Sequence, residues 1–359
     1  MSDSGFKISE RGFKILEAII DEYIQSGEPI GSKLLAERLD ITVSPATIRN
    51  EMASLEQQGY LDHPHTSAGR IPTVKGYQLY IERLIPENRL SLSDEDKYII
   101  DSVISGISVR DSDEVIIESA SRALAELTKC AVISTSNVSR FSVITKVEVI
   151  PAGKRVYVLL LVTSDGGVKN KACRLSFDLN EEQLEFFTKF ANENLSGINL
   201  ENVSQEYIEN IGVALGSYMV SLSPLLKAVA DISGEANAEK VKFDGETNLI
   251  AFEDLKKQEI LSILENRNAF TELLDNAFSE INVIFGDENK SDTFTVSNSG
   301  LSPAHGLIAG SFKKHGQKAG SFGVIGPMRL DYKKLIPYIE YFAVEVTRIL
   351  STEKEDNDN

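Results

Sequence analysis

SPATIRNEMASLEQQGYLDHPHTSAGRIPT, residues 44–73, decides how the chain is read. Ser44 is a favoured N-cap, because its hydroxyl accepts a bond from an orphan N–H of the first helical turn. Pro45 suits the first helical position, where its missing N–H costs nothing. Gly59 fits the left-handed residue past the helix end. Between them Ile48, Met52 and Leu55 recur at i, i+4 and i+7, one apolar stripe for a core. The spacing predicts a helix ended by glycine, a short strand Tyr60-Leu61, a polar loop, and a second strand Ile71-Pro72. That is the order of a recognition helix followed by a β-wing, and such a helix enters the major groove of DNA.

The outer face of this helix carries Ala46, Asn50, Ala53 and Gln57, flanked by Thr47, Arg49 and Ser54. Asn and Gln pair bidentately with adenine, Arg with guanine, and Ala or Thr packs on a thymine methyl. The bland alternative is a solvated polar face, although such faces usually carry more Lys and Glu. Ser44, Ala46, Thr47, Arg49, Asn50, Ala53, Ser54 and Gln57 are therefore candidate DNA contacts. In the wing, Arg70 is a candidate for a phosphate or the minor groove. His65, Thr66 and Ser67 are candidates beside it. His63 and His65 without a nearby cysteine or carboxylate cluster make a poor metal site. No metal and no cofactor is expected.

Supporting helices precede the stretch. Ser9 can cap a helix with Ile15, Leu16, Ile19, Ile20, Tyr23 and Ile24 inward, stopped at Gly27. Ser32 can cap a short helix with Leu34, Leu35 and Leu39 inward. Thr73 can cap a helix holding Tyr77, Tyr80, Ile81 and Leu84. Three short helices and a two-stranded wing make a winged helix-turn-helix.

Residues 23–84, with YIQSGEPIGSKLLAERL, SPATIRNEM and PHTSAGRIPTVKGY, closely resemble the N-terminal domain of the heat-inducible transcription repressor HrcA family. GSFGVIGPMRLDY at 320–332 resembles that family's last signature, with Leu330 where methionine is usual, and NLIAFEDL at 248–255 is a looser match. The resemblance spans essentially the whole chain. It implies a repressor of groE- and dnaK-type chaperone operons that binds an inverted-repeat operator, CIRCE, as a homodimer. It also implies regulation by temperature and support from the GroEL chaperonin. For the fold it implies a GAF-like domain interrupted by an inserted dimerising domain.

Charge runs against DNA binding. The chain of 359 residues has a formal net charge of −17. Residues 1–90 hold ten Lys/Arg against thirteen Asp/Glu, so even this part lacks a basic footprint. A single domain should bind weakly, and dimerisation is needed to raise affinity. The acidic remainder should suppress loose nonspecific binding. Two distant cysteines, Cys130 and Cys173, give no disulfide framework. A polar N-terminus and the lack of a membrane-length apolar run point to the cytoplasm.

Beyond a linker near 86–93 the pattern changes. Residues 111–130 read as a helix with Val115, Ile116, Ser119, Ala123 and Leu127 on or near one face. Ala131–Ser136 is a β-run. Ile144–Ile150, Arg155–Thr163 and Val168–Phe177 read as an antiparallel meander, and helices dominate from Glu181 to Ala230. SGEANAE at 233–239 reads as a polar break and Leu255–Phe278 as helix. Ile281–Phe285, Thr293–Val296, Gly306–Phe312 and Gly320–Ile325 read as strands, and Asp331–Leu350 as a closing helix. The expected fold class is an α+β multidomain chain. A winged helix-turn-helix occupies 1–85, the GAF-like α/β domain 94–141 and 236–352, the inserted dimerising α+β domain 142–235, and a disordered tail 353–359. Whether the GAF-like part holds a ligand stays open. GEPIGSK at 27–33 misses the phosphate-loop spacing. No nucleophile elbow or cysteine–histidine cluster stands out, so no enzyme is expected. His305 and His315 read as surface residues. The alternative function is a ligand-sensing winged-helix protein that works through protein contacts.

Overall fold

Local capping chemistry sets the first helices. In the computed structural model Ser9 accepts from Gly12 N at 3.0 Å and starts α1 (Glu10–Ser26), and Gly27 ends it at φ 68°. The structure describes residues 8–38, 43–64, 69–84, 90–216, 219–238, 240–252, 255–265, 273–274, 281–286, 295–296 and 305–352. α2 (Ser32–Arg38) buries Leu35. Leu34 is exposed, contrary to the sequence reading, because a helix this short presents only one turn to the core. Ser32 lies within the helix, and Leu35 N bonds to Gly31 O at 3.1 Å. Leu39 falls outside the described residues. α3 (Pro45–Gln57) buries Ile48, Met52 and Leu55 as expected. Strands β1 (Leu61–Asp62) and β2 (Ile71–Pro72) pair antiparallel and lead into α4 (Val74–Leu84), which buries Tyr77, Tyr80, Ile81 and Leu84.

Among the described residues, the body is a six-stranded sheet between helices. Its strands are β3 (Ala131–Ser136), β7 (Lys240–Asp244), β8 (Ile281–Gly286), β9 (Thr295–Val296), β10 (His305–Lys314) and β11 (Gln317–Pro327), in the order β7-β3-β11-β10-β8-β9. All pairings are antiparallel except that of β8 with β9. Alternation along each strand sends side chains to two cores. Val132, Ile308, Phe322 and Val324 meet α6 (Asp113–Thr128) and the closing helix α12 (Tyr332–Ser351), with α5 (Asp94–Ile104) beside them. Ala131, Ile133, Leu307 and Ile325 meet α10 (Glu246–Ile250), α11 (Lys257–Glu265) and Leu273-Leu274.

A separate core lies between Ile144 and Ala236. There β4 (Ile144–Gly153), β5 (Val156–Thr163) and β6 (Val168–Arg174) form a three-stranded antiparallel sheet. α7 (Glu181–Leu195), α8 (Gln205–Val213) and α9 (Met219–Asn237) complete it. Glu114 ties this unit to the body by pairing with Lys169 of β6 and, at 2.7 Å, with Lys240 of β7.

Several sequence expectations are corrected. The polar-looking stretch read as a break at 233–239 is helical as far as Asn237, where α9 ends, with Ser233 and Ala236 buried, and Glu239 lies outside the described residues. α6 buries Ile116, Ile117, Ala120, Ser121 and Leu124, while Val115 is exposed. The helix carries apolar residues on more than one side, and packing on the sheet chooses the phase. His305 is fully buried in β10, not on the surface. α5, β7 and α10 were not foreseen. Of 255–278, the described helical residues are Lys257–Glu265 and Leu273-Leu274, and the tail expected at 353–359 lies outside the described residues.

The winged helices share the body's core. Tyr77 sits 6.0 Å from Phe285 and 5.8 Å from Tyr332, ring centre to ring centre, and Phe285 and Tyr332 are 5.8 Å apart. Lys333 donates to Asp21 at 2.7 Å and to Glu17 at 3.1 Å, and Tyr80 donates to Asp21 at 2.6 Å. Burial opposes the Lys333 charge, but Asp21 and Glu17 outweigh it and hold its pKa above the ordinary 10.5. This latch is therefore fully present at neutral pH and is lost only as pH rises through that raised value. Lys333→Ala should cost about 1 kcal/mol or less, because the pair is partly solvated. Hydrogen exchange should show the loss as lower protection in α1 than in the sheet; unchanged α1 protection would show that Lys333 does not hold it.

Candidate nucleic-acid interface

α3 is built to be held from behind and from both sides. Ser44 Oγ accepts from Thr47 N at 3.2 Å and lies 2.9 Å from Thr47 Oγ1. At the other end Gly59, at φ 78°, donates to Glu56 O and Tyr60 donates to Leu55 O, both at 2.9 Å. These two bonds are the Schellman pattern that closes a helix on glycine. The close turn matters because Gly76 N-terminal in α4 packs against it: a Cβ there would lie 2.3 Å from Tyr60 O.

The ridge opposite the buried stripe holds Ala46, Asn50 and Gln57, all exposed, and Ala53, half-buried. Arg49 and Ser54 beside it are exposed and Thr47 is half-buried. Ser54 Oγ accepts from Gln58 Nε2 at 3.1 Å. The structure thus brings all eight helix candidates onto one continuous surface. Of the wing candidates, His65, Thr66 and Ser67 lie outside the described residues.

The two carboxylates of α3 leave its outer ridge free of acidic side chains although the domain as a whole is acidic. Neither lies on the outer ridge. Glu51 is turned toward α1, where Arg11 Nε donates to it at 2.8 Å. Glu56 is turned toward the wing, where it meets Arg70 Nε at 2.8 Å, an Arg70 terminal nitrogen at 2.6 Å and His63 Nδ1 at 2.5 Å. Among the described residues Arg49 makes no ion pair, so it is the cation left at the ridge. Lys75 is occupied elsewhere: its ammonium caps Gln58 O at 2.9 Å and sits 4.7 Å over the Tyr60 ring.

Arg70 is therefore placed differently from a free wing cation. Its backbone pairs with Ile30 in both directions, at 2.8 and 3.0 Å, and its guanidinium rests on Glu56. Gly69 permits this approach, since a Cβ there would meet the Ile30 backbone at 2.3 Å. Arg70 thus braces the wing against α3, with Nε and one terminal nitrogen held by Glu56. Sequence reasoning missed Glu56 and Arg11, because residues 14 and 40 positions from their partners leave no periodic signal.

Glu56→Gln keeps a hydrogen-bonding side chain but removes the carboxylate. It should steepen the salt dependence of duplex binding by about one unit, because Arg70 becomes available to phosphate. An unchanged slope, measured by titration at several salt concentrations, would leave Arg70 a brace alone.

Comparison with known proteins places these features. A family model for the winged helix-turn-helix transcription repressor, HrcA DNA-binding, matches residues 7–84. One for the HrcA protein C terminal domain matches residues 114–336. The heat-inducible transcription repressor HrcA of Halalkalibacterium halodurans is 31% identical over 348 residues, covering 96% of this chain and 98% of its own. That of Clostridium acetobutylicum is 32% identical over 343 residues, covering 93% and 95%. A crystal structure described as a hypothetical protein superposes with a TM-score of 0.65 at 25% identity, covering 96% of this chain and 99% of that one.

Proposed function

The chain belongs to the heat-inducible transcription repressor HrcA family, a family of DNA-binding repressors and not of enzymes, and from that premise we propose that it acts as a homodimer on an inverted-repeat operator of CIRCE type. The operons are chaperone operons of groE and dnaK type, and temperature and the GroEL chaperonin set the active fraction; the family resemblance supports both statements. The observation that carries the DNA reading is the outer ridge of α3, which is free of carboxylates and offers Asn50, Gln57 and Arg49. Asn50 and Gln57 suit adenine edges and Arg49 a guanine edge or a phosphate. Ala46, Thr47 and Ala53 suit thymine methyls, and Ser44, Ser54, His65, Thr66 and Ser67 suit phosphates. Arg70 joins them once released from Glu56.

Residues 1–85 form the reading domain, 94–141 with 236–352 a GAF-like domain, and 142–235 the dimerising insertion. α7 and α9 cover one face of its sheet. The other face carries Ile150, Val158, Leu160, Val162 and Val168, exposed or half-buried. Lys146 and Glu148 edge this apolar strip. A two-fold contact suits it, because an isologous patch needs an apolar centre and charges of both signs. The twofold matches an inverted repeat, and the cytoplasm is the compartment where such an operator is met. Footprinting on a chaperone-operon promoter, with and without chaperonin, tests this reading. Protection of both half-sites, stronger with chaperonin, is expected; no protection at any inverted repeat would reject it.

A further inference from the structure

A cleft of about 390 Å³ opens where the end of α1 meets the body, between the α6 C-terminus and the start of α12. Its volume falls within the range of small-molecule sites. The floor is apolar: Leu330, Leu335, Tyr338 and Cys130 are buried and Phe252 is half-buried. Burial pushes the Cys130 thiol up to about 12, so the sulfur is a neutral part of that floor. The rim is basic, formed by Lys129, Arg329 and Lys334. Asp331 is the carboxylate among the described lining residues, and it is engaged as the N-cap of α12, accepting from Lys334 N at 3.1 Å. The Lys334 ammonium stands 3.8 Å from Asp96, a loose solvated pair that a better anion can replace.

We propose that this cleft binds a small amphipathic organic anion, with its apolar body on the Leu330–Leu335–Tyr338 floor and its carboxylate at the Lys129–Arg329–Lys334 rim. An apolar solute alone would make no use of the positive charge that Lys129 and Lys334 bring to the rim, and a bare inorganic anion would leave the floor wet. The position gives such a ligand a route to the DNA-binding domain. Arg329 donates to Ile24 O at 3.3 Å and packs under Gly27, where a Cβ would lie 3.4 Å from the guanidinium carbon. The residue that meets the ligand is thus the one that grips the end of α1. Binding itself needs no DNA, so its test stands apart from the repressor reading.

The chain contains no tryptophan, so Phe252→Trp in the full-length protein places a single fluorescent reporter on the cleft wall. Octanoate is the probe and 1-octanol its neutral counterpart. A saturable fluorescence change with octanoate is expected, with a Kd at least tenfold lower than for octanol. Lys129→Glu with Lys334→Glu, both exposed positions, should raise the octanoate Kd at least tenfold. Calorimetry of the unaltered chain checks the result without the reporter: its Tm should rise with octanoate concentration, as for any ligand that binds the folded state. No saturation, equal binding of the alcohol, insensitivity to charge reversal, or a Tm that octanoate leaves unmoved would each overturn the site.

Discussion

Val158→Asp with Leu160→Asp is expected to run as a monomer and to lose about 10²–10⁴-fold in operator affinity. The two residues alternate along β5 with buried Tyr157, Leu159 and Leu161, so they point away from the core that α7 and α9 cover. Aspartates there meet water in a monomer and like charges across a two-fold. The loss on DNA follows because each winged domain carries little phosphate attraction: its first 90 residues have more acidic than basic side chains. Two such readers bind tightly only when the second contact is intramolecular. Sedimentation of the variant, paired with a gel-shift titration, reads both effects. A variant that stays dimeric moves the interface elsewhere, to the exposed Phe177 and Phe186 side for example. A monomer that keeps full affinity removes the need for two readers.

Asn50→Ala should cost about 1–3 kcal/mol of specific binding, the worth of a bidentate base contact. Asn50 lies on the ridge with Gln57 one heptad further along, about 10 Å at the helical rise. Arg49→Ala should weaken binding and lower the salt slope by about one unit if its guanidinium meets a phosphate. Neither change should unfold the domain, since both side chains are exposed and the stripe that holds α3 lies behind them. Full operator affinity in both folded variants would take the reading away from this face.

The parts of the fold that were legible in the sequence are those set by local chemistry. Ser9 and Gly27 bound α1, Ser44 and Gly59 bound α3, and Thr73 begins α4, each by a bond to a backbone group within a few residues. The meander at 144–174 was legible for a similar reason, since short apolar β-runs joined by the turn residues of PAGK at 151–154 and SDGG at 164–167 specify hairpins locally. Burial chosen by distant partners was not. Leu34 and Val115 look as apolar as their neighbours but face water, because tertiary packing selects the helix phase. Ser233 looks like a loop residue and is buried within α9. The site divides in the same way. The α3 candidates follow from helical geometry, whereas the Glu51–Arg11 and Glu56–Arg70 pairs come from chain segments that only the fold brings together. Those pairs also answer the charge problem: an unfavourable total is compatible with a favourable face when the carboxylates are turned aside.

The most direct test is fluorescence anisotropy of the full-length chain with an inverted-repeat duplex and with a scrambled duplex of equal composition, at several salt concentrations. A preference of about 10³-fold or more for the inverted repeat is expected, with affinity for both duplexes falling as salt rises. Equal affinity for the two duplexes, or binding indifferent to salt, would contradict sequence reading by α3.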